Sequence, residues 1–149
     1  MQTIRNMFDH LHWADTRLLQ QLAETGYEGP EVIRLMAHCL FAEKVWLTRL
    51  QQRDSSAISI WADSTLEECQ ELAERNREGY LQFLNACTDP DAICHYHNLS
   101  GVPFSTSIRD ILTHVALHGQ YHRGQINALL KRHDQSPVSV DYILFAREK

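Results

Sequence analysis

Four long amphipathic segments, two of them very apolar, predict an all-α protein built as a four-helix bundle. Three observations carry that expectation. Apolar residues recur at the helical period of about 3.6 through each segment, start and stop signals separate the segments, and strand-like alternation is confined to one short stretch before the last of them. With 149 residues the chain can bury one substantial core and is too short to expect two, so residues 1–149 are expected to form a single domain. No internal repeat or low-complexity linker interrupts it.

The first helix is expected from Thr3 to Thr25, with Ile4, Phe8, Leu11, Leu18 and Leu22 along one side and Gly26 after its end. Asp15 interrupts that stripe. A carboxylate facing inward is costly unless paired, so Asp15 is either a site residue or the acceptor for a buried donor. His10, His12 and Trp13 are expected around the helix surface, without a chemical role. Gly29-Pro30 opens the second helix, proline being tolerated at the first helical position, and the pattern continues to about Gln52. Val32, Met36, Cys39, Leu40, Trp46, Leu47 and Leu50 cover several of its faces, which makes it the most buried helix. Leu35, His38, Ala42 and Val45 share a face, so His38 points inward, as a satisfied core residue or as a ligand. Glu43 lies on another side, between Cys39, Leu40, Trp46 and Leu47.

Residues 53–63 read as a loop whose Ile58, Ile60 and Trp61 are laid against the helices. Ser64-Thr-Leu-Glu67 has the pattern of a capping box and starts a third helix that extends to about Cys87, with Asp89-Pro90 ending it. Between Ile93 and Thr106 the expectation is a short hairpin or extended loop turning at Ser100-Gly101. If it is a strand, His95 and His97 share a face and form a competing metal pair. Ser107-Ile-Arg-Asp110 opens the fourth helix, which runs to about His133, a residue suited to the helix dipole there. The tail from Asp134 carries Pro137 and the apolar run Tyr142-Ile143-Leu144-Phe145, expected to pack onto the bundle or onto a partner subunit.

The fourth helix carries the chemistry. His118 and His122 are four residues apart, so both imidazoles leave one face about a turn apart and can reach one metal ion. At roughly 100° per residue they fall inside the stripe of Ile108, Ile111, Val115, Ile126 and Leu129, whereas His114 sits at its edge. Paired inward imidazoles must satisfy their ring nitrogens, by a shared cation or by separate carboxylate and carbonyl partners.

Composition narrows the partners. A net charge of −5 with no Lys/Arg cluster argues against nucleic acid. No apolar run approaches bilayer length and the N-terminus lacks signal-peptide order, so no membrane association is expected and the cytoplasm is the default compartment. Cys39, Cys69, Cys87 and Cys94 form no C-x-x-C pair and read as free thiols, mostly buried.

Three stretches together resemble the DinB family, within the DinB/YfiT-like metalloenzyme superfamily: Trp13-Ala-Asp-Thr-Arg-Leu-Leu19, His38 followed by Glu43 and Trp46, and His118-x-x-x-His122-Arg123-Gly124-Gln125. The last is the most specific. The resemblance implies that His38, His118 and His122 jointly hold one divalent ion, zinc or nickel, and that the protein forms a homodimer. The family often has Asn where this chain has Asp15. Three neutral imidazoles would leave the ion its full charge and an open position, the pattern of a catalytic site able to lower the pKa of bound water toward ~7 or to hold a thiolate. Each imidazole also needs an acceptor for its second nitrogen, and Asp15 or Glu43 is expected either to supply one or to balance Arg123. Gly124 is expected at a close approach of helices.

Superfamily relatives include thiol-dependent S-transferases and an isomerase. The resemblance therefore implies a metal-dependent enzyme that transfers a low-molecular-weight thiol to a small electrophilic substrate, or a hydrolytic variant. The alternative is a non-catalytic metal-binding stress-response protein. A fourth protein ligand, His114 or a carboxylate, would favour that alternative; an accessible cleft would favour the enzyme.

Overall fold

A computed structural model describes residues 1–148. The chain is mostly helical: α1 (Gln2–Thr25), α2 (Pro30–Leu50), α3 (Leu66–Ala86), α4 (Ile108–Arg132) and a short α5 (Tyr142–Glu148), with strands β1 (Ile93–His97) and β2 (Pro103–Ser107) between α3 and α4. The strands pair antiparallel, from Ile93 opposite Ser107 to His97 opposite Pro103. The stretch expected as a short hairpin or extended loop is thus a hairpin, a two-stranded sheet in an otherwise helical chain. α1 and α2 each pack against both α3 and α4.

Local chemistry sets the helix ends. Gly26 stops α1 in the left-handed region at φ 64°, its N–H donating to Ala23 O, and Pro30 opens α2 where no intrahelical N–H is required. The capping box of α3 lies one residue beyond the expected Ser64/Glu67 pair. Thr65 Oγ1 accepts from Glu68 N while Glu68 Oε2 accepts from Thr65 N, because one further extended residue lets the chain leave the loop before the first turn forms. Ser107 caps α4 as expected, accepting from Asp110 N. In the hairpin turn Asn98 Oδ1 accepts from Ser100 N and Val102 N, and Gly101 takes φ 78°.

The core has two apolar clusters. One gathers Leu18, Leu22, Met36, Leu40, Cys69, Ile126 and Leu130; the other gathers Phe8, Leu11, Leu47, Tyr80, Leu84, Cys94, Leu112 and Val115. Between them along the sequence of each long helix stands one buried polar side chain: Asp15, Glu43, Asn76 and Arg123. Arg123 Nη1 donates to Asp15 Oδ1 at 2.8 Å, and Asn76 Nδ2 donates to Glu43 Oε2 at 3.1 Å and to Leu40 O at 2.9 Å. Burial, and next the Asp15 charge, raise the Glu43 carboxyl well above its ordinary pKa, which favours its protonated form beside the Asp15 carboxylate. Gly119 makes room for this arrangement, since a Cβ there would come within 2.9 Å of Arg123 Nη1. Gly124, expected at a helix contact, is exposed and a Cβ there meets nothing within 4 Å, because the Arg123 side chain folds back over the preceding turn instead.

Two surface expectations change. His10 is buried, its Nε2–H donating to Val140 O at 2.8 Å, because the tail crosses this face of α1. Trp13 donates to Glu148 Oε2 at 2.9 Å and its ring meets Phe145. The apolar tail is thus a helix laid on α1. His95 and His97 are both on the exposed side of the hairpin, His95 Nδ1 being hydrogen-bonded to Ser105 Oγ, and among the described residues neither belongs to a cluster of three or more potential metal ligands. The cysteines are free, as expected, and Cys39, Cys69 and Cys94 are buried.

Candidate metal centre

α2 and α4 are neighbours, and their shared face brings His38 against His118 and His122. One ligand nitrogen from each lies within 4.8 Å of the other two. His118 Nε2 and His122 Nε2 are 3.1 Å apart, close to the ~3.4 Å that separates two nitrogens held tetrahedrally at about 2.1 Å from one ion. Two ring nitrogens facing each other at that distance repel if both present lone pairs, unless a proton or a cation lies between them.

Their orientation is fixed from behind. His38 Nδ1–H donates to Ile60 O at 3.0 Å, and His122 Nδ1–H donates to Gln125 Oε1 at 2.6 Å, with Gln125 Nε2 in turn donating to Tyr121 Oη. Each of these bonds leaves Nε2 as the lone-pair nitrogen turned toward the cluster, the tautomer a metal ligand requires. Trp61 stacks on His38 with ring centroids 3.8 Å apart. Burial, followed by the neighbouring His122, His38, His114 and Arg123, pushes His118 down to about 4; burial likewise lowers His38. Both imidazoles are therefore neutral, and able to bind a cation, at neutral pH.

Among the described residues no carboxylate or thiol joins the cluster. His114 lies outside it, its exposed ring against Trp46 and 5.5 Å from His118 between centroids. Asp15, Glu43 and Arg123 occupy the interior polar layer, and none of them supplies the hydrogen bonds that orient the imidazoles. The orienting groups are Ile60 O and Gln125. A backbone carbonyl leaves no side-chain signature in a sequence, but Gln125, three residues after His122, is part of the His-Arg-Gly-Gln run. The imidazoles are also less enclosed than their helical stripe implied: His118 and His122 are half-buried, at the rim of the core.

A cleft of about 350 Å³ opens beside the cluster, with His38 and His118 at one end and Trp46, Arg49, Ile60 and the turn 98–100 around it. A separate cavity of about 360 Å³ lies over Asp15 and Glu43 between α1 and α3, and touches none of the three imidazoles. The DinB family model matches residues 2–149. The chain belongs to the DinB family. It is similar to Protein DinB of Bacillus subtilis strain 168, 23% identical over 156 residues that cover 93% of this chain and 91% of that one. It is also 24% identical over 136 residues to the YizA protein of the same organism, covering 88% and 83% of the two chains. The crystal structure of a DinB-like protein from Bacillus cereus superposes with a TM-score of 0.63 over 94% of both chains at 15% identity, a likeness of fold alone. DinB membership and the gathering of His38, His118 and His122 thus agree with what the sequence motifs implied.

Proposed function

We propose that this DinB-family chain is a metal-dependent enzyme, its four long helices forming a four-helix bundle that presents one divalent cation to a small-molecule cleft. The observation that carries the reading is the three-imidazole cluster, in which two rings are turned by Ile60 O and Gln125 so that their lone pairs converge, with no fourth protein donor among the described residues. Zinc and nickel are the ions that suit such a donor set. When bound, the cation would supply Lewis acidity at its open position, acidifying a thiol or a water molecule there.

The chain's own residues would do the rest. His38, His118 and His122 hold the ion; Ile60 O and Gln125 fix ring tautomers; Trp61 shields one face of His38 from water. The cleft is at the small end of the ~300–1,000 Å³ typical of ligand sites, which favours a small electrophile accepting a low-molecular-weight thiol, with hydrolysis as the variant chemistry. An accessible cleft at the cluster favours this over a purely structural ion.

Metal content of untagged protein, purified without added metal, tests the site. About one ion per chain is expected by elemental analysis, lost in both His38→Ala and His118→Ala. Equally low metal in the wild type and both variants would return these histidines to the role of hydrogen-bonded core residues.

A further inference from the structure

The cleft beside the imidazoles contains a cation with no counter-charge. Arg49 is only 7% exposed, yet among the described residues no carboxylate pairs with it. Buried arginines are ordinarily matched by an anion, as Arg123 is by Asp15 in this protein. The guanidinium of Arg49 is held instead by neutral groups. Its Nε donates to Ser55 Oγ at 3.2 Å, and its Cζ lies 4.7 Å from the Trp46 ring centre and 5.1 Å from that of Tyr96. Those contacts come from α2, the following loop and β1, so the position of the group is fixed from several sides. The nearby Asp54, which lines an adjoining cavity together with Arg49, makes no ion pair with it; its two carboxylate oxygens accept from Ser56 N and Ser56 Oγ.

Among the described residues both Nη atoms remain without a hydrogen-bond partner. Neither is sealed from solvent as Arg123 Nε and Nη2 are, and Arg49 lines the same cleft as His38 and His118. A pair of N–H groups on a fixed planar fork matches the two oxygens of a carboxylate, and a site with one side chemically ready for an anion discriminates strongly against uncharged analogues. We infer that Arg49 is the anion-binding residue of the cleft, and that its ligand is a small organic carboxylate whose reacting end lies toward the three imidazoles. This deepens the metal-centre reading and rests on it for the reacting end of the ligand; the anion site itself rests on Arg49 alone. The walls between the two ends, Ala42, Val45 and the face of Trp46, are apolar, so the body joining the carboxylate to the reacting group is hydrocarbon or aromatic.

Phenylacetate and its uncharged counterpart phenylacetamide are suitable probes, titrated into the full chain in zinc-loaded and metal-free forms and followed by calorimetry and by the Arg49 Nε–H resonance. Saturable binding of phenylacetate to both forms is expected, with movement of that resonance. Arg49→Gln should weaken phenylacetate by about tenfold or more and leave phenylacetamide unchanged, and Arg49→Lys should recover part of the loss. The resonance is read on wild-type protein and so decides the matter even if the variants do not fold. An unmoved Arg49 signal, or phenylacetate binding that Arg49→Gln does not weaken, overturns the inference. Zinc-dependent binding that is indifferent to Arg49→Gln would place the carboxylate on the ion, keeping the metal reading and refuting the anion site. Arg49-dependent binding in a chain that takes up no metal would do the reverse.

Discussion

At the scale of single residues, the interior polar layer makes the sharpest demands. Asp15 is the only hydrogen-bonded partner of Arg123 among the described residues, and Arg123 is fully buried, with Nε and Nη2 facing no acceptor. Removing the carboxylate leaves a buried cation uncompensated, so Asp15→Ala is expected to lower unfolding stability by about 3–5 kcal/mol. Urea denaturation gives the value; a loss below about 1 kcal/mol would show that water already compensates Arg123. Glu43 behaves in the opposite sense. Its folded-state pKa is raised above the ordinary value of 4.5, so the folded chain holds a proton that the unfolded chain releases, and stability is lost as pH rises above that value toward the folded pKa. Glu43→Gln can still accept from Asn76 and donate toward Asp15 without an ionisation to suppress. Its melting temperature should exceed that of the wild type by more at pH 8 than at pH 5, and an equal difference at both would count against this account.

At the scale of elements, α5 shows what a sequence stripe leaves out. Phe145 is buried against His10 and Trp13, and Glu148 receives the Trp13 indole N–H. Phe145→Ala should therefore cost roughly 3 kcal/mol and expose the tail to proteolysis ahead of the remainder; cleavage kinetics unchanged from the wild type would mean the tail is held by other contacts. The long helices were legible because each buries residues along a period of its own, as Leu18 and Leu22 do on α1 or Ile126 and Leu130 on α4. His10 and Trp13 were not, since their cover arrives 130 residues later and no local pattern records it. The same reasoning applies at the candidate site. His118 and His122 announce themselves by spacing within one helix, whereas Ile60 acts through a backbone carbonyl in a loop, and Arg49 reads as an ordinary basic residue in the last turn of α2 until Trp46, Ser55 and Tyr96 are seen to enclose it.

The whole molecule has a pH response set by its neutral histidines. Burial, the largest cause for each, lowers His10 and His12 below the ordinary value of 6.5. As pH falls through 6.5 the unfolded chain takes up protons there before the folded chain does. Their contribution is complete above pH 6.5 and declines below it. Metal-free protein should thus lose stability on acidification from pH 7 toward pH 5, and His10→Gln, which keeps an amide donor toward Val140 O, should flatten that slope. A slope unaltered by the substitution would assign the effect to other groups.

One part of the cleft's wall comes from a different kind of structure than the imidazoles beside it. His38, His118 and His122 stand on α2 and α4, but Ile60 and the turn 98–100 belong to connecting segments, the loop before α3 and the tip of the hairpin. Connections of this kind tolerate insertion and exchange far better than packed helices do. One wall of the cleft is thereby separable from the helices that carry the imidazoles and Arg49. Transplanting the hairpin tip would therefore vary that wall alone, leaving the three imidazoles, Arg49 and the apolar side chains of α2 on their original helices.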